Sequence, residues 1–194
     1  VFSLDKLNKA PGVFDYKKLD WFNGNYIRQK SDEELKQLLL PYLVQAGFIP
    51  QEMTSELEKL INGLISVAKE RLKVLSDIVE IGRFLFRETE EYSVDDLIPK
   101  KLDAAKTVEI LENMKMLLGD LFTKKEEQIE ELFKARSEKL GVKLGDFIMP
   151  LRIAVTGSRV SPPIIGSLRL LGIEKTTARI DRVIDILKNE VANG

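Results

Sequence analysis

Apolar side chains recur at intervals of three and four residues along most of the chain, with polar residues between them. This spacing places the apolar residues on one side of an α-helix, whereas a strand would require alternation at every second position. The clearest example is a stretch whose apolar residues share one helical face: Leu57, Leu60, Ile61, Leu64, Ile65 and Ala68. Because a convincing strand period is missing, the pattern predicts an all-α fold of about nine or ten helices.

Capping residues predict where several helices begin and end. Asp15 is placed to cap a helix over 16–28. Ser31 and Glu34 form a capping box for a helix that reaches about residue 46, where Gly47 ends it. Thr54 or Ser55 opens the next helix. Further helices are predicted over 72–86, 104–118, 123–140, 147–155 and 174–191, with a short turn or helix that starts at Ser93 and ends before Pro99.

Glycine and proline predict interruptions in this pattern. Asn23-Gly24 predicts a break or bend in the first helix, and Pro41 predicts a kink or split in the second. Ala10-Pro11-Gly12 predicts a turn in an otherwise irregular start. A seam near 130–145 is expected to separate two helical subdomains.

The stretch from 143 to 172 combines apolar runs with a few polar groups. Arg152 lies inside an otherwise apolar segment, and Thr156-Gly157-Ser158 follows as a small polar break. Ser161 is suited to be the N-cap of a new helix with Pro162 at its first position, which would leave backbone N–H groups open at that end. Such a segment fits a seat for unpaired bases or an anion. It also fits a buried helix pair joined by a turn, which the spacing alone favours.

The composition excludes several classes of function. The chain has no Cys and no His, which removes disulfides, zinc–thiolate sites, thiol nucleophiles and the usual general base, although carboxylates and lysines remain. No apolar run approaches the roughly 18 residues of a membrane span, and the first residues lack the zones of a signal peptide. A first residue other than Met indicates a piece of a longer protein.

The net charge of −1 is unevenly distributed. Residues 134–194 carry 11 Lys and Arg against 6 Asp and Glu, whereas residues 1–133 carry 19 against 25. A basic C-terminal third fits a polyanionic partner. A scattered set of solvated charges explains the same numbers about equally well.

Two stretches of sequence resemble a known family. DWFNGNYIR, at 20–28, is the most specific part of a segment similar to the one that follows the catalytic signature loop of bacterial-type glutamyl-tRNA synthetases. MPLRIAVTGS, followed by SPP and LLG, resembles the anticodon-binding end of the same family. The two matches occur in the family's order and at about its separation. The chain therefore resembles the C-terminal half of a bacterial-type glutamyl-tRNA synthetase, or glutamate–tRNA ligase.

This resemblance implies an all-helical chain in three parts. A stem-contact segment at 1–50 would precede two anticodon-binding helical subdomains, of the α-helical cage type, at 51–140 and 141–194. The parent would be a cytoplasmic class I aminoacyl-tRNA synthetase that attaches glutamate to tRNA(Glu) through a glutamyl-adenylate. Its ATP and magnesium would be held by a catalytic domain whose motifs are missing here.

The same resemblance implies that this chain binds tRNA(Glu) and carries no catalytic residue, metal or other cofactor. Its second partner would be the catalytic domain of the full-length enzyme, and neither a membrane nor DNA is expected as a partner. A helical scaffold for protein–protein interaction is the alternative.

The resemblance also assigns residues to the anticodon. Arg71 would read the third base, a cytosine whose O2 and N3 both accept hydrogen bonds, whereas the N3–H of uracil would oppose a guanidinium. Its presence favours an enzyme restricted to tRNA(Glu). Arg152 would lie near the first base. The middle base, uracil, and its neighbour would be held by Ser161, Pro162, Ile164 and Ile165.

Each of these assignments has a simpler alternative. Arg71 fits a solvated arginine on a helix surface, and Ile164 and Ile165 fit the hydrophobic core about as well as a base pocket. Weaker candidates for the tRNA stem are Asn25, Tyr26 and Arg28. Weaker candidates for phosphate contacts, each of which fits an ordinary surface charge, are Arg159, Arg169, Lys175, Arg179 and Arg182.

Overall fold

A computed structural model of the chain describes residues 15–89 and 91–193. Within these ranges it contains eleven α-helices and no strand, which confirms the predicted all-α fold. In chain order the helices are α1 (Tyr16–Gln29), α2 (Asp32–Gln45), α3 (Ser55–Ala68), α4 (Asp77–Phe86), α5 (Val94–Leu97), α6 (Ala104–Met116), α7 (Leu118–Thr123), α8 (Glu126–Lys139), α9 (Leu144–Thr156), α10 (Ile164–Leu171) and α11 (Ile173–Asn193). A 3₁₀ turn, Lys69–Arg71, extends the end of α3.

The predicted caps of the first two helices are confirmed. The Asp15 carboxylate accepts hydrogen bonds from the backbone N–H groups of Lys17 and Lys18 at 2.9 and 3.1 Å. The Glu34 carboxylate accepts from the Ser31 N–H at 2.9 Å, and the Glu34 N–H donates to the Ser31 hydroxyl at 3.2 Å. These side chains satisfy N–H groups that a helix cannot pair at its own start.

The predicted break in α1 and the predicted split in α2 do not occur. Helix α1 continues through Gly24, which is buried against the backbone of the segment after the 3₁₀ turn. A Cβ atom at Gly24 would lie 3.3 Å from the Leu72 carbonyl oxygen, so the glycine permits close packing. Helix α2 continues through Pro41, whose side chain faces solvent. The turn predicted at Ala10-Pro11-Gly12 lies outside the described residues.

Two predicted helices begin later than expected. The helix expected from residue 72 begins at Asp77, because the Asp77 carboxylate accepts hydrogen bonds from the N–H groups of Lys73 and Val74 at 2.9 and 3.0 Å and holds them in a turn. The helix expected from residue 123 begins at Glu126, since the preceding residues form α7. Gly141, at φ +68°, follows the end of α8 as predicted.

One hydrophobic core includes residues from helices throughout the fold. Helix α11 packs along α6 and α9, and α8 packs against α9. The α8–α9 contact includes Phe133 and Phe147, whose ring centroids lie 6.0 Å apart. Phe133 lies within 130–145, and the seam between subdomains predicted there stays a prediction. The division of the chain at 50 and 140 stays a prediction.

Helices α3 and α10 lie antiparallel and unusually close. A Cβ atom at Gly166, near the start of α10, would lie 2.7 Å from the side chain of Val67, near the end of α3. Gly63, one turn earlier in α3, makes a similarly close approach to Leu170. This packing places the start of α10 beside the 3₁₀ turn that carries Arg71. None of the described helices has the length and apolarity needed to cross a membrane.

Candidate nucleic-acid interface

Arg152 connects α9 to the segment that precedes α10. Its half-buried side chain donates through Nη1 to the Ser161 hydroxyl at 2.5 Å and to the Pro162 carbonyl at 3.1 Å. Within the described part of the chain, Nε and Nη2 make no hydrogen bond, and no carboxylate pairs with the guanidinium. The remaining donors of Arg152 are therefore available to a ligand.

Ser161 does not cap α10, contrary to the prediction. Helix α10 begins at Ile164, after Pro163, and its first turn has no side-chain cap. A residue that precedes a proline is disfavoured in the helical region, so Ser161 and Pro162 remain outside the helix. The Ser161 hydroxyl instead donates to the Pro162 carbonyl at 3.0 Å while it accepts from Arg152. Its role in the structure is to orient that arginine.

The side chains predicted to hold the middle base are buried. Ile164 and Ile165 are only 7% and 4% exposed, and Ser161 and Pro162 are also buried. The structure thus places the two isoleucines in the core, as the simpler alternative expected. The uncapped first turn of α10 leaves backbone N–H groups as the donors at this end of the helix.

Arg71 lies close enough to Arg152 for their charges to interact. Burial lowers the pKa of the Arg152 guanidinium, and the positive charge of Arg71 lowers that pKa further. Arg71 is exposed at the end of the 3₁₀ turn, and its side chain has no hydrogen bond or ion pair among the described residues. Two neighbouring guanidiniums that form no ion pair within the described residues make a surface that favours anionic and acceptor-rich ligands.

The three candidates for stem contacts lie together in α1. Tyr26 is 65% exposed. The Asn25 side-chain oxygen accepts from Arg28 Nη2 at 2.7 Å, and Arg28 Nε lies 3.9 Å from a Glu70 carboxylate oxygen. Arg28 therefore faces the 3₁₀ turn, whereas the Tyr26 ring faces solvent.

Four of the five candidates for phosphate contacts are exposed: Arg159, Arg169, Lys175 and Arg182. Arg159 pairs with Asp96 at 3.0 Å, and Arg169 donates to two carbonyl groups at the end of α7. Arg182 donates to the Thr89 carbonyl at 2.8 Å. These contacts hold three of the four side chains at fixed places on the surface.

Arg179 is the exception, and its burial corrects the prediction of a surface charge that contacts phosphate. Its side chain is 4% exposed. The guanidinium donates to the carbonyls of Val155 and Arg87 at 2.5 and 3.1 Å and to the Glu88 carboxylate at 3.1 Å. The bond to Glu88 lowers the pKa of that carboxyl. The sequence carried a signal for this burial, since position 179 lies beside the apolar stripe of α11 that contains Ile180 and Val183.

Sequence reasoning missed Trp21 as a candidate residue. Its side chain is 61% exposed and lines a cavity of about 370 Å³ between α1 and the 3₁₀ turn. Arg28 and Arg71 line the same cavity. The available signal was a tryptophan four residues after Lys17 on a helix, which places a ring beside a cation. In the described part of the chain, no group of three or more His, Cys, Asp or Glu side chains could hold a metal ion.

Comparison with known proteins confirms the resemblance seen in the sequence. A curated glutamate–tRNA ligase of Treponema denticola is 40% identical over 203 residues, which cover 95% of this chain and 40% of that protein. The ligase of Borreliella burgdorferi is 37% identical, over 96% of this chain and 38% of its own length. The chain thus spans about two fifths of the length of these relatives.

A solved structure and a family model give the same result. The crystal structure of a glutamate tRNA ligase from Elizabethkingia meningosepticum in complex with its amino acid superposes with a TM-score of 0.69 at 26% identity, over 96% of this chain and 35% of that one. The model of the family described as "Anticodon binding domain" matches residues 34–184. Because that match includes most of the chain, this chain belongs to the anticodon-binding domain family.

Proposed function

We propose that this chain is the tRNA-recognition part of a glutamate–tRNA ligase and binds the anticodon of tRNA(Glu). The observation that carries the proposal is the pair of neighbouring guanidiniums of Arg71 and Arg152, which keep unpaired donors and form no ion pair with a carboxylate of the described residues. The names of the similar proteins support the choice of tRNA. Unpaired bases present acceptors on their edges, and phosphates present anionic oxygens, so both suit such a surface.

Arg71 is the residue proposed to read the third anticodon base. The third base of this anticodon is cytosine, and its O2 and N3 can both accept hydrogen bonds from one guanidinium. Uracil presents an N3–H donor at the same place, which an arginine cannot accept. Because the Arg71 side chain has no partner among the residues that the structure describes, binding a base would break no hydrogen bond with them.

Arg152 is proposed to act beside it, near the first anticodon base. Ser161 and Pro162 fix one side of its guanidinium, so the direction of the remaining donors is set before RNA binds. A donor oriented in advance loses less conformational entropy on binding than a freely rotating side chain.

The chemistry of the whole enzyme is assigned to the part of the protein that lies outside this chain. That part is proposed to bind ATP and magnesium and to form the glutamyl-adenylate in the cytoplasm. We expect this chain alone to bind tRNA(Glu) without charging it.

A protein contact is proposed as a second function, because α1 exposes apolar side chains. Leu19 and Phe22 are each 42% exposed, and Tyr26 lies on the same side of the helix. The catalytic domain of the full-length enzyme is the proposed partner for this face. A protein partner held by apolar contacts would bind with little dependence on salt, whereas tRNA binding should weaken steeply as salt rises.

Binding of the tRNA(Glu) anticodon stem-loop to an Arg71→Ala variant tests the main proposal. With cytosine at the third position, the variant should bind about 1–3 kcal/mol more weakly than the wild type, because one paired contact is lost. With uracil there, the two proteins should bind almost equally, so the variant's preference for cytosine should be largely lost. Filter binding at several salt concentrations measures both effects.

Arg83→Ala is the matched control, since Arg83 is an exposed arginine of α4 without a side-chain partner among the described residues. This control should keep the preference for cytosine. If the wild type shows no saturable binding to the stem-loop at low salt, the proposed function is wrong. If Arg71→Ala binds with wild-type affinity and preference, the reading role of Arg71 is wrong.

A further inference from the structure

The cavity beside Arg71 is lined by more basic than acidic side chains. Its basic residues are Lys17, Arg28, Arg71 and Lys73, and its acidic residues are Asp20 and Glu70. One of the acidic residues, Glu70, already pairs with Arg28 at 3.9 Å. The volume of about 370 Å³ falls within the range of small-ligand sites. The excess of positive charge favours an anionic occupant.

Trp21 is the large aromatic side chain on this cavity. It is 61% exposed, although burial of an indole ring is strongly favourable. Its ring contact with Phe22 is edge-to-face, with centroids 5.1 Å apart at 76°, which leaves at least one face of the indole open. An open aromatic face among cations is the arrangement with which proteins bind unpaired nucleotides.

The geometry of α1 directs Trp21 towards Arg71. Lys17, Trp21, Gly24 and Arg28 follow one another at spacings of four, three and four residues, so they form one stripe along the helix. Gly24 lets this stripe approach the backbone at Leu72, as its close contact with that carbonyl shows. The stripe therefore faces the turn that carries Arg71. The cavity lies where α1 packs against the backbone that follows this turn.

Arg71 lies between this cavity and the Arg152 site. Its charge lowers the pKa of Arg152, and its side chain also lines the cavity, whereas Arg152 does not line the cavity. If the first two anticodon bases lie near Arg152 and the third lies at Arg71, the next nucleotide of the loop comes to the cavity.

We propose that Trp21 is a stacking platform for the unpaired nucleotide on the 3′ side of the third anticodon base. The indole face contacts the base without reading its sequence, and Lys17 and Lys73 lie near the adjoining phosphates. This inference rests on the proposed function, because the place of the third base is taken from Arg71. It adds a binding site on α1 to the proposed sites of Arg71 on the 3₁₀ turn and Arg152 on α9.

The fluorescence of Trp21 provides a direct test, because it is the only tryptophan of the chain. Addition of the tRNA(Glu) anticodon stem-loop to the 194-residue protein should quench the indole emission in a saturable way. Trp21→Ala should weaken binding about 5- to 150-fold, and Trp21→Phe should retain most of the affinity, since a ring still stacks. Tyr16→Ala, which removes an exposed ring of α1 that does not line the cavity, is the matched control and should bind as the wild type does.

A stem-loop that lacks the base on the 3′ side of the anticodon identifies the stacked nucleotide. The wild type should lose about as much affinity for this abasic RNA as Trp21→Ala loses for the intact RNA. Trp21→Ala should bind the abasic RNA no more weakly than it binds the intact RNA, because the protein change and the RNA change remove the same contact. An abasic site at the first anticodon position should instead lower the affinity of Trp21→Ala further, because it removes a different contact.

The outcomes separate this inference from the proposed function. If the stem-loop fails to bind the wild type at low salt, the proposed function fails and the stacking site fails with it. If the stem-loop binds, but Trp21→Ala binds as tightly as the wild type and the emission does not change, only the stacking site is wrong. A third outcome is that removal of the third anticodon base adds no further loss of affinity to that of Trp21→Ala. Trp21 then stacks the third base, and the assignment to the next nucleotide is overturned.

Discussion

Arg179 and Arg152 are both arginines among apolar neighbours, yet the structure uses them differently. Arg179 is 4% exposed, and all three of its guanidinium nitrogens donate to protein acceptors. Arg152 is half-buried and donates through one nitrogen to two acceptors. The difference shows that the number of donors already paired inside the protein, and not burial alone, separates a structural arginine from a candidate binding residue.

The contacts of Arg179 connect three parts of the fold. Its side chain extends from α11 to a carbonyl in α9 and to two residues that follow α4, Arg87 and Glu88. Removal of this guanidinium would leave the buried Val155 carbonyl without its donor, which costs more than the loss of a solvated hydrogen bond. Arg152 connects α9 only to the short segment before α10, so its loss should affect stability less.

The largest expected effect is the loss of stability in Arg179→Met. Methionine fills much of the space but donates no hydrogen bond, so the Val155 and Arg87 carbonyls lose their partner. The free energy of unfolding should fall by about 2–4 kcal/mol. Urea unfolding followed by circular dichroism measures this change.

Arg71→Met, the same change at an exposed arginine, is the control and should lower the unfolding free energy by less than about 0.5 kcal/mol. If both variants lose similar stability, the distinction between a structural arginine at 179 and an exposed arginine at 71 is wrong. It also fails if Arg179→Met, kept at a temperature at which it is folded, loses the preference for the third anticodon base.

A smaller effect is expected from Ser161→Ala. This change removes the hydroxyl that accepts from Arg152, so the guanidinium is less well oriented. Binding of the anticodon stem-loop should weaken by about 0.5–1.5 kcal/mol. Isothermal titration calorimetry measures the change.

Ser167→Ala is the matched control, because the Ser167 hydroxyl also donates to a proline carbonyl, that of Pro163, at 3.0 Å, but has no contact with Arg152. The Ser167 variant should bind RNA as the wild type does. Equal losses in both variants would show that the Ser161 hydroxyl acts through the stability of this segment and not through Arg152.

The smallest expected effect is on the pH dependence of stability. The bond from Arg179 lowers the pKa of Glu88 below its ordinary value of 4.5, so the charged carboxylate stabilises the folded protein. This contribution is complete above the ordinary pKa and is lost as the pH falls through the lowered pKa of the folded state. Because the Glu88 side chain is 64% exposed, the contribution should stay under about 1 kcal/mol.

Glu88→Gln should therefore be slightly less stable than the wild type at pH 7, and the difference should shrink as the pH falls below 4.5. Urea unfolding of both proteins between pH 7 and pH 3 measures the difference. A difference that stays constant over this range would show that the charge of Glu88 does not contribute to the stability of the Arg179 site.

Local signals in the sequence were sufficient to predict most helices. Asp15 and the pair Ser31 and Glu34 act through bonds within three residues, so their partners were visible in the sequence. One error involved a distant segment, since Gly24 lies inside a continuous helix that packs closely against the Leu72 carbonyl. Another error was local: the helix expected from residue 72 starts late because Asp77 binds the backbone three and four residues before it.

The sequence predicted part of the candidate site. The resemblance named Arg71 and Arg152 as members of one site, and the structure places them within electrostatic range of each other. The resemblance could not show that Arg179 is fully paired, because its acceptors are more than 20 residues away in the chain. Nor could it show that Trp21 and Arg71, which are 50 residues apart, line the same cavity.

The all-helical class, the caps of the first two helices and the membership of an anticodon-binding family could be read from the amino-acid sequence, since they follow from local periodicity and motifs. Which arginines keep free donors became visible in the folded protein alone. That property depends on how many carbonyl and carboxylate oxygens the packing of distant helices brings to each guanidinium, and helix packing is a property of the whole fold.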